Sequence, residues 1–433
     1  MASLTRPSLR LALTVALFLG AFASSEAADW SRFRGPNGSA VSEARGVPTT
    51  WDDQTNLRWK TPLPGPGSSS PIVVGDRVFV TCYSGYGIER EQPGDIKQLQ
   101  RHLVCLSLTD GSVLWDRSTP ARQPEDSFNG FICDHGYATS TPASDGQHVF
   151  VFFGKTGVLA YDLDGNLLWK TEAGNGSGKN RWGSGASPVL YGNLVIVNAA
   201  AESKAVIALH KQTGKEAWRA DAANIYGSWS TPVLVNAPNG KTELVLSAPY
   251  ELWGFDPDNG EFLWYADGIA DDTICGSVVA KDGIVYAVGG RSGSAVAVRS
   301  GGRDDVSKTH TVWKKQLSSY VPSPVLAGDR IFSVNERGIL GCLNVKDGES
   351  LLQKRLPSAG SIYASPTIAD DKLYIVTRRS GTFVLATAGD GEVLAQNKFD
   401  DDSDFNASPA IADGNLLLRS NRFVYCVGAA APK

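Results

Sequence analysis

The stretch "SPIVVGDRVFVT" (Ser70–Thr81), continued after an insertion by "HLVCLSLTDGSVLWD" (His102–Asp116), decides the fold. It holds four short apolar runs cut by the turns "VGDR" and "TDGS". β-branched and aromatic residues in runs this short suit strands, and Asp-Gly steps between them suit tight hairpin turns. The unit then recurs. The proline that marks each start, or the residue in its place, falls at Pro71, Pro142, Pro188, Pro232, Val278, Pro324, Pro366 and Pro409. After a first gap of 71 residues the spacing stays between 42 and 46. Four strands in such a period are the signature of a propeller blade. The eight starts predict an all-β, eight-bladed β-propeller of four-stranded blades over residues 58–428.

The last repeat, "SPAIADGNLLLRSNRFVYCVG" (Ser408–Gly428), has only three strands. "NLRWK" (Asn56–Lys60) reads as its missing outer strand, so an N-terminal strand is expected to complete the C-terminal blade and remove an open sheet edge. It carries Trp59, matching Trp115, Trp169, Trp218, Trp264 and Trp313 at the ends of other outer strands, while the sixth and seventh repeats have Leu352 and Ala395 there. Their fixed place in the repeat makes these tryptophans structural, filling the widening gap between blades.

Around two of them, "ALHKQTGKEAW" (Ala208–Trp218) and "GFDPDNGEFLW" (Gly254–Trp264), the chain resembles the tryptophan-docking repeat of BamB-type propellers and of quinoprotein alcohol dehydrogenases, together the PQQ-like propellers. The BamB-type resemblance implies a docking scaffold in outer-membrane protein assembly. The quinoprotein resemblance implies pyrroloquinoline quinone with calcium in the channel of an oxidoreductase. No two cysteines are neighbours, unlike the adjacent-cysteine disulfide of those enzymes, and no Cys-x-x-Cys-His stretch offers a haem site.

A formal net charge of −4, without an acidic or basic tail, gives no footing for nucleic acid. Arg6 and Arg10, the apolar run Leu11–Ala23 and small residues to Ala28 form an export signal over residues 1–28, with an apolar run too short to span a bilayer. No cysteine precedes Cys82 to take a lipid anchor. The expected product is a periplasmic or secreted monomer without a membrane span. In it, residues 29–57 form an extension that packs on the propeller through Trp30, Phe33 and Trp51, and residues 429–433 form a tail.

With strands named A to D from the centre outwards, the B-to-C turns and the D-to-A links share one face. Both long insertions fall there, Cys82–His102 and Arg117–Ser140, which marks it as the binding side. Its links bring Trp182, Tyr226 and Trp229; its turns bring Lys155, Arg291, Arg337, Arg378, Arg379 and Arg422. These nine are the candidate binding residues of an aromatic, net basic mouth for a protein segment, an anionic ligand or a polysaccharide. Taken singly, each charged residue is also explained by the need to keep an exposed turn solvated.

Cys105, Cys342 and Cys426 share the C-strand place that other repeats give to Ala160, Ala208 or Gly254, and read as reduced core residues. Cys82 and Cys133 lie one in each insertion and are the disulfide candidates. "CDHGY" (Cys133–Tyr137) lacks zinc-motif spacing, so no catalytic residue and no metal ligand is assigned. The reading reached is a non-catalytic binding scaffold with no cofactor expected. A quinone- and calcium-dependent oxidoreductase and a polysaccharide-recognising propeller are the alternatives.

Overall fold

Each repeat closes on itself as one four-stranded antiparallel sheet, because its hairpin turns are too short to send the chain elsewhere. The computed structural model describes residues 29–428; the segments 1–28, read above as an export signal, and 429–433, read as a tail, lie outside the described residues. Blade one runs from the channel outwards through Ile72–Val74, Arg77–Ser84, Gln100–Ser107 and Val113–Pro120. Blade eight runs through Ala410–Ala412, Asn415–Arg419 and Phe423–Val427, and its outer strand is Leu57–Pro62. That strand pairs antiparallel with Phe423–Val427, placing Trp59 opposite Cys426. The eight-bladed all-β ring and its N-terminal closure are thus present. Among the described residues no helix is long and apolar enough to cross a membrane.

The outer strands share a bulge one residue before the tryptophan position, as between Cys105 and Leu106 opposite Val113 and Trp115. The extra residue turns two side chains outwards and the indole inwards. Hence Leu114 and Leu168 stay exposed while Trp169 is 9% exposed. From there the indole N–H reaches a carbonyl of the next blade: Trp59 to Leu108 at 2.9 Å, Trp115 to Leu163 at 3.0 Å, Trp169 to Lys211 at 2.7 Å, Trp218 to Pro257 at 3.0 Å and Trp313 to Val345 at 3.0 Å. Each ring also covers a turn glycine of that blade. Gly111, at φ 74°, has no room for a Cβ beside Trp59.

Trp264 departs from the set. The fifth repeat inserts Asp304–Asp305, which adds to the outer strand of blade four in parallel. Under that cover Trp264 turns into its own blade, gives its N–H to Glu243 Oε2 at 2.7 Å and lies directly on Gly254. Gly254→Ala is therefore expected to cost about 1–3 kcal/mol by overpacking. Urea unfolding checks this, and an unchanged midpoint would show that Trp264 can move aside.

The N-terminal extension plugs the channel. Val73 N–H donates to Trp30 O at 3.0 Å, Ser144 N–H to Ser31 O at 2.8 Å, and Val41–Ser42 pair parallel with the inner strand of blade seven. One short segment therefore bridges blades one, two and seven across the end of the ring opposite the insertions. Trp51 packs farther out against Tyr374, with ring centroids 6.4 Å apart.

Candidate functional site

The residue before each repeat's starting proline is serine or threonine, and the fold shows why. Backbone N–H groups donate from Ser70 to Thr141 Oγ1, Thr141 to Ser187 Oγ, Ser187 to Thr231 Oγ1 and Thr231 to Ser277 Oγ. The same bond continues from Ser277 to Ser323, Ser323 to Ser365 and Ser365 to Ser408. Each spans 2.9–3.0 Å, and together they form a hydroxyl ring around the channel. At the seam between blades eight and one, buried Arg419 bridges instead, donating to Ser69 O at 2.8 Å and to Cys82 Sγ at 3.6 Å.

Above this ring lies a cavity of about 130 Å³. Phe33 of the plug lines it, with ring hydroxyls, Cys275, Trp182, Trp229, Tyr363 and Phe131. Trp182 and Trp229 face each other with centroids 5.4 Å apart, and Trp229 Nε1 donates to Gly183 O at 2.7 Å. Phe131 belongs to a strap, the link between blades one and two, whose short helix Ile132–His135 lies between Gly130 and Gly136, both in the left-handed region. It closes over the cavity, packing 5.0 Å from Trp182 and 5.7 Å from Tyr363.

The strap is fastened on both sides. His135 Nε2 lies 2.9 Å from Trp182 O and must donate to it, so Nδ1, 2.7 Å from Thr139 Oγ1, accepts. Burial holds this imidazole neutral, with its pKa lowered to about 4. Across the channel, Arg378 pairs with Asp134 at 3.3 Å and Asp404 at 2.6 Å, and Asn406 Nδ2 donates to Asp134 O at 2.7 Å. Below the strap Lys155 meets Asp126 at 3.1 Å and Ser177 Oγ at 3.0 Å, while Arg101 pairs with Glu125.

These pairings correct the expected basic mouth. Arg379 is bound to Asp404 at 2.6 Å, Arg422 to Asp402 at 2.7 Å, and Lys155 is buried among carboxylates. Arg337 is 79% exposed beside Glu336, and Arg291 lies over Tyr320 at 4.6 Å, its Nη2 donating to the phenol oxygen at 3.0 Å. None of the six cations lines the cavity. Of the nine candidates only Trp182 and Trp229 meet there; Tyr226 lies outside, 39% exposed.

The expected Cys82–Cys133 bond is not made, and all six thiols are free. Cys82 lies within the ladder opposite His102, fully buried under Arg419, rather than in a loop. The insertions are joined by packing of Tyr83, Tyr86, Leu99, Ile132 and Tyr137. Cys105, Cys342 and Cys426 are buried, as expected. Burial pushes the Cys275 thiol up to about 12, which keeps it protonated at neutral pH. Among the described residues no three His, Cys, Asp or Glu side chains converge as a metal would require. The cavity wall contains no carboxylate to ligate calcium, so its residues do not fit the quinone–calcium pair.

The hydroxyl ring was not singled out from the sequence, and the link Arg117–Ser140 was singled out as an insertion on the binding side but not as a strap over the cavity. The Ser or Thr before each proline was the available signal for the first; the second depends on ion pairs between remote links.

Comparison with known proteins bears on the same architecture. The profile of the family described as outer membrane protein assembly factor BamB matches residues 99–354. BamB from Moraxella catarrhalis superposes with a TM-score of 0.60 at 14% identity, covering 87% of this chain and 98% of that one. The computationally designed Ika8 protein gives 0.57 at 12% identity, over 84% and 98% of the two chains. A europium-containing methanol dehydrogenase gives 0.49 at 13% identity, over 84% and 90%. At such identities the likeness to solved structures is one of fold. No curated protein matches the chain.

Proposed function

Since the chain belongs to the family described as outer membrane protein assembly factor BamB, we propose that it is an exported, non-catalytic docking scaffold. Its insertion-bearing face would hold a protein partner of the cell envelope. The observation that carries this reading is a pair of exposed tyrosines on that face. Tyr226 is 39% exposed and Tyr250 57%, and Gly227 beside the first lies against Pro249 beside the second. Exposed tyrosines on neighbouring stretches of one surface are the usual anchors of protein interfaces. Near them Lys179 is paired to Asp272, while Lys204 lies 5.1 Å over the Tyr226 ring with no acidic partner among the described residues.

The sequence missed Tyr250, although an exposed aromatic in the tight turn "APYE" (Ala248–Glu251), at φ 67°, was the clue. A photo-crosslinking residue at position 250 is expected to give one discrete protein adduct in intact cells. The same residue at Phe262, on the outer rim, is expected to give none. Equal adducts from both positions, or none from either, would sink the assignment. Once the partner is captured, Tyr226→Ala with Tyr250→Ala is expected to weaken its binding at least about tenfold, an ordinary loss for two interface anchors.

A further inference from the structure

Two cations are buried in the channel with no counter-charge. Arg34 is 1% exposed and Arg32 9%. Arg34 Nη2 donates to Pro324 O, and Arg32 Nη2 reaches Pro232 O at 3.4 Å. Arg34 Nε and Nη1 and Arg32 Nε find no acceptor. The one charge acting appreciably on Arg34 is Arg32 itself, and neither forms a salt bridge among the described residues. Burial lowers Arg32 to about 10 and Arg34 to about 9, so both remain cations at neutral pH. Two like charges buried in one channel without compensation are among the costliest arrangements a fold can contain.

Their surroundings supply more donors. Pro232 and Pro324 directly follow Thr231 and Ser323 of the hydroxyl ring, so the two guanidiniums lie just below it on different sides of the channel. Each linked ring hydroxyl accepts a backbone N–H, which leaves its own proton free to be donated. No carboxylate lines the cavity above. Ring hydroxyls with free protons and two buried, uncompensated guanidiniums directly behind them make chemistry that suits an anion.

We infer that a small anion, a carboxylate or an oxyanion, binds beneath the central cavity, between the hydroxyl ring and Arg34 and Arg32, which lie behind the cavity wall rather than in it. The site is separate from the docking face and stands or falls independently of it. An organic carboxylate would point its body at the aromatic roof of Phe131, Trp182 and Trp229; an inorganic oxyanion would leave that roof unused.

The test is calorimetric titration and thermal melting of the purified chain with benzoate and, separately, inorganic phosphate at fixed ionic strength. The expected result is saturable binding of at least one probe with a rise in melting temperature. Tighter benzoate identifies an organic carboxylate; tighter phosphate identifies an inorganic anion. Arg34→Met is expected to lower affinity more than tenfold. Should that variant fail to fold, Ser277→Ala with Ser323→Ala leaves the plug intact and is expected to weaken binding several-fold. The inference is overturned if neither probe saturates the wild type, or if the folded variants bind as the wild type does.

Discussion

Trp59→Ala is expected to destabilise the ring by about 3–5 kcal/mol, the usual cost of truncating a buried tryptophan. Trp59 is 7% exposed, donates to Leu108 O at 2.9 Å and covers Gly111. Two residues on, Thr61 Oγ1 donates to Gly111 O at 2.6 Å. These contacts join the closing strand of blade eight to blade one, with which it is continuous in sequence, whereas only its pairing with Phe423–Val427 ties it to the rest of blade eight. Trp115 makes the same kind of bond to Leu163 but is only half-buried and belongs to a blade whose four strands follow one another in sequence. Its alanine variant is expected to lose less. Urea unfolding of both variants measures the difference, and equal midpoints would show that the closing strand depends on its tryptophan no more than any other outer strand does.

The second large effect concerns pH. Glu202 is buried beneath the strap and accepts from Ser184 Oγ, in a cluster with Glu125, Asp126, Lys155 and Arg101. Burial raises its pKa from 4.5 to about 7, with Glu125 adding to the rise and Ser184 and Lys155 opposing it. Between pH 4.5 and about 7 the folded chain retains a proton that the unfolded chain has lost. Stability from this group is therefore complete at the acid end, falls as pH rises through that window, and is absent above it. The total is on the order of 3 kcal/mol. His135 acts in the opposite sense: lowered from 6.5 to about 4, it contributes stability above pH 6.5 that is lost as the solution is acidified. Glu202→Gln is expected to gain about 3 kcal/mol on the wild type between pH 5 and pH 8. Urea unfolding of both proteins at both pH values measures it. An offset independent of pH would mean that Glu202 is ionised throughout.

What the sequence revealed and what it hid follow one physical division. Strand runs, turn glycines and Trp59, Trp115, Trp169, Trp218 and Trp313 are local features repeated with a fixed period, so the eight blades and their closure could be read directly. Trp264 could not, because its orientation depends on Asp304–Asp305 from the following repeat. The ion pairs of the mouth's arginines were hidden for a similar reason. Arg378 meets Asp134 across 244 positions of sequence, and no local pattern announces that pairing. The plug shows the same limit: Trp30 and Phe33 signalled that the extension packs, but its route depends on inner strands supplied by blades one, two and seven.

The N-terminal closing strand also sets an order of events for the growing polypeptide. Leu57–Pro62 is among the first folded segments to be synthesised, yet its partner Phe423–Val427 is among the last. Until those residues emerge, the strand has no neighbour to pair with, and seven complete blades must wait as an open arc with an unpaired sheet edge. Such long-range pairing makes folding slow and the half-made product prone to association. A protein built this way gains from being shielded during its own synthesis, until the last strand has emerged and the circle can shut.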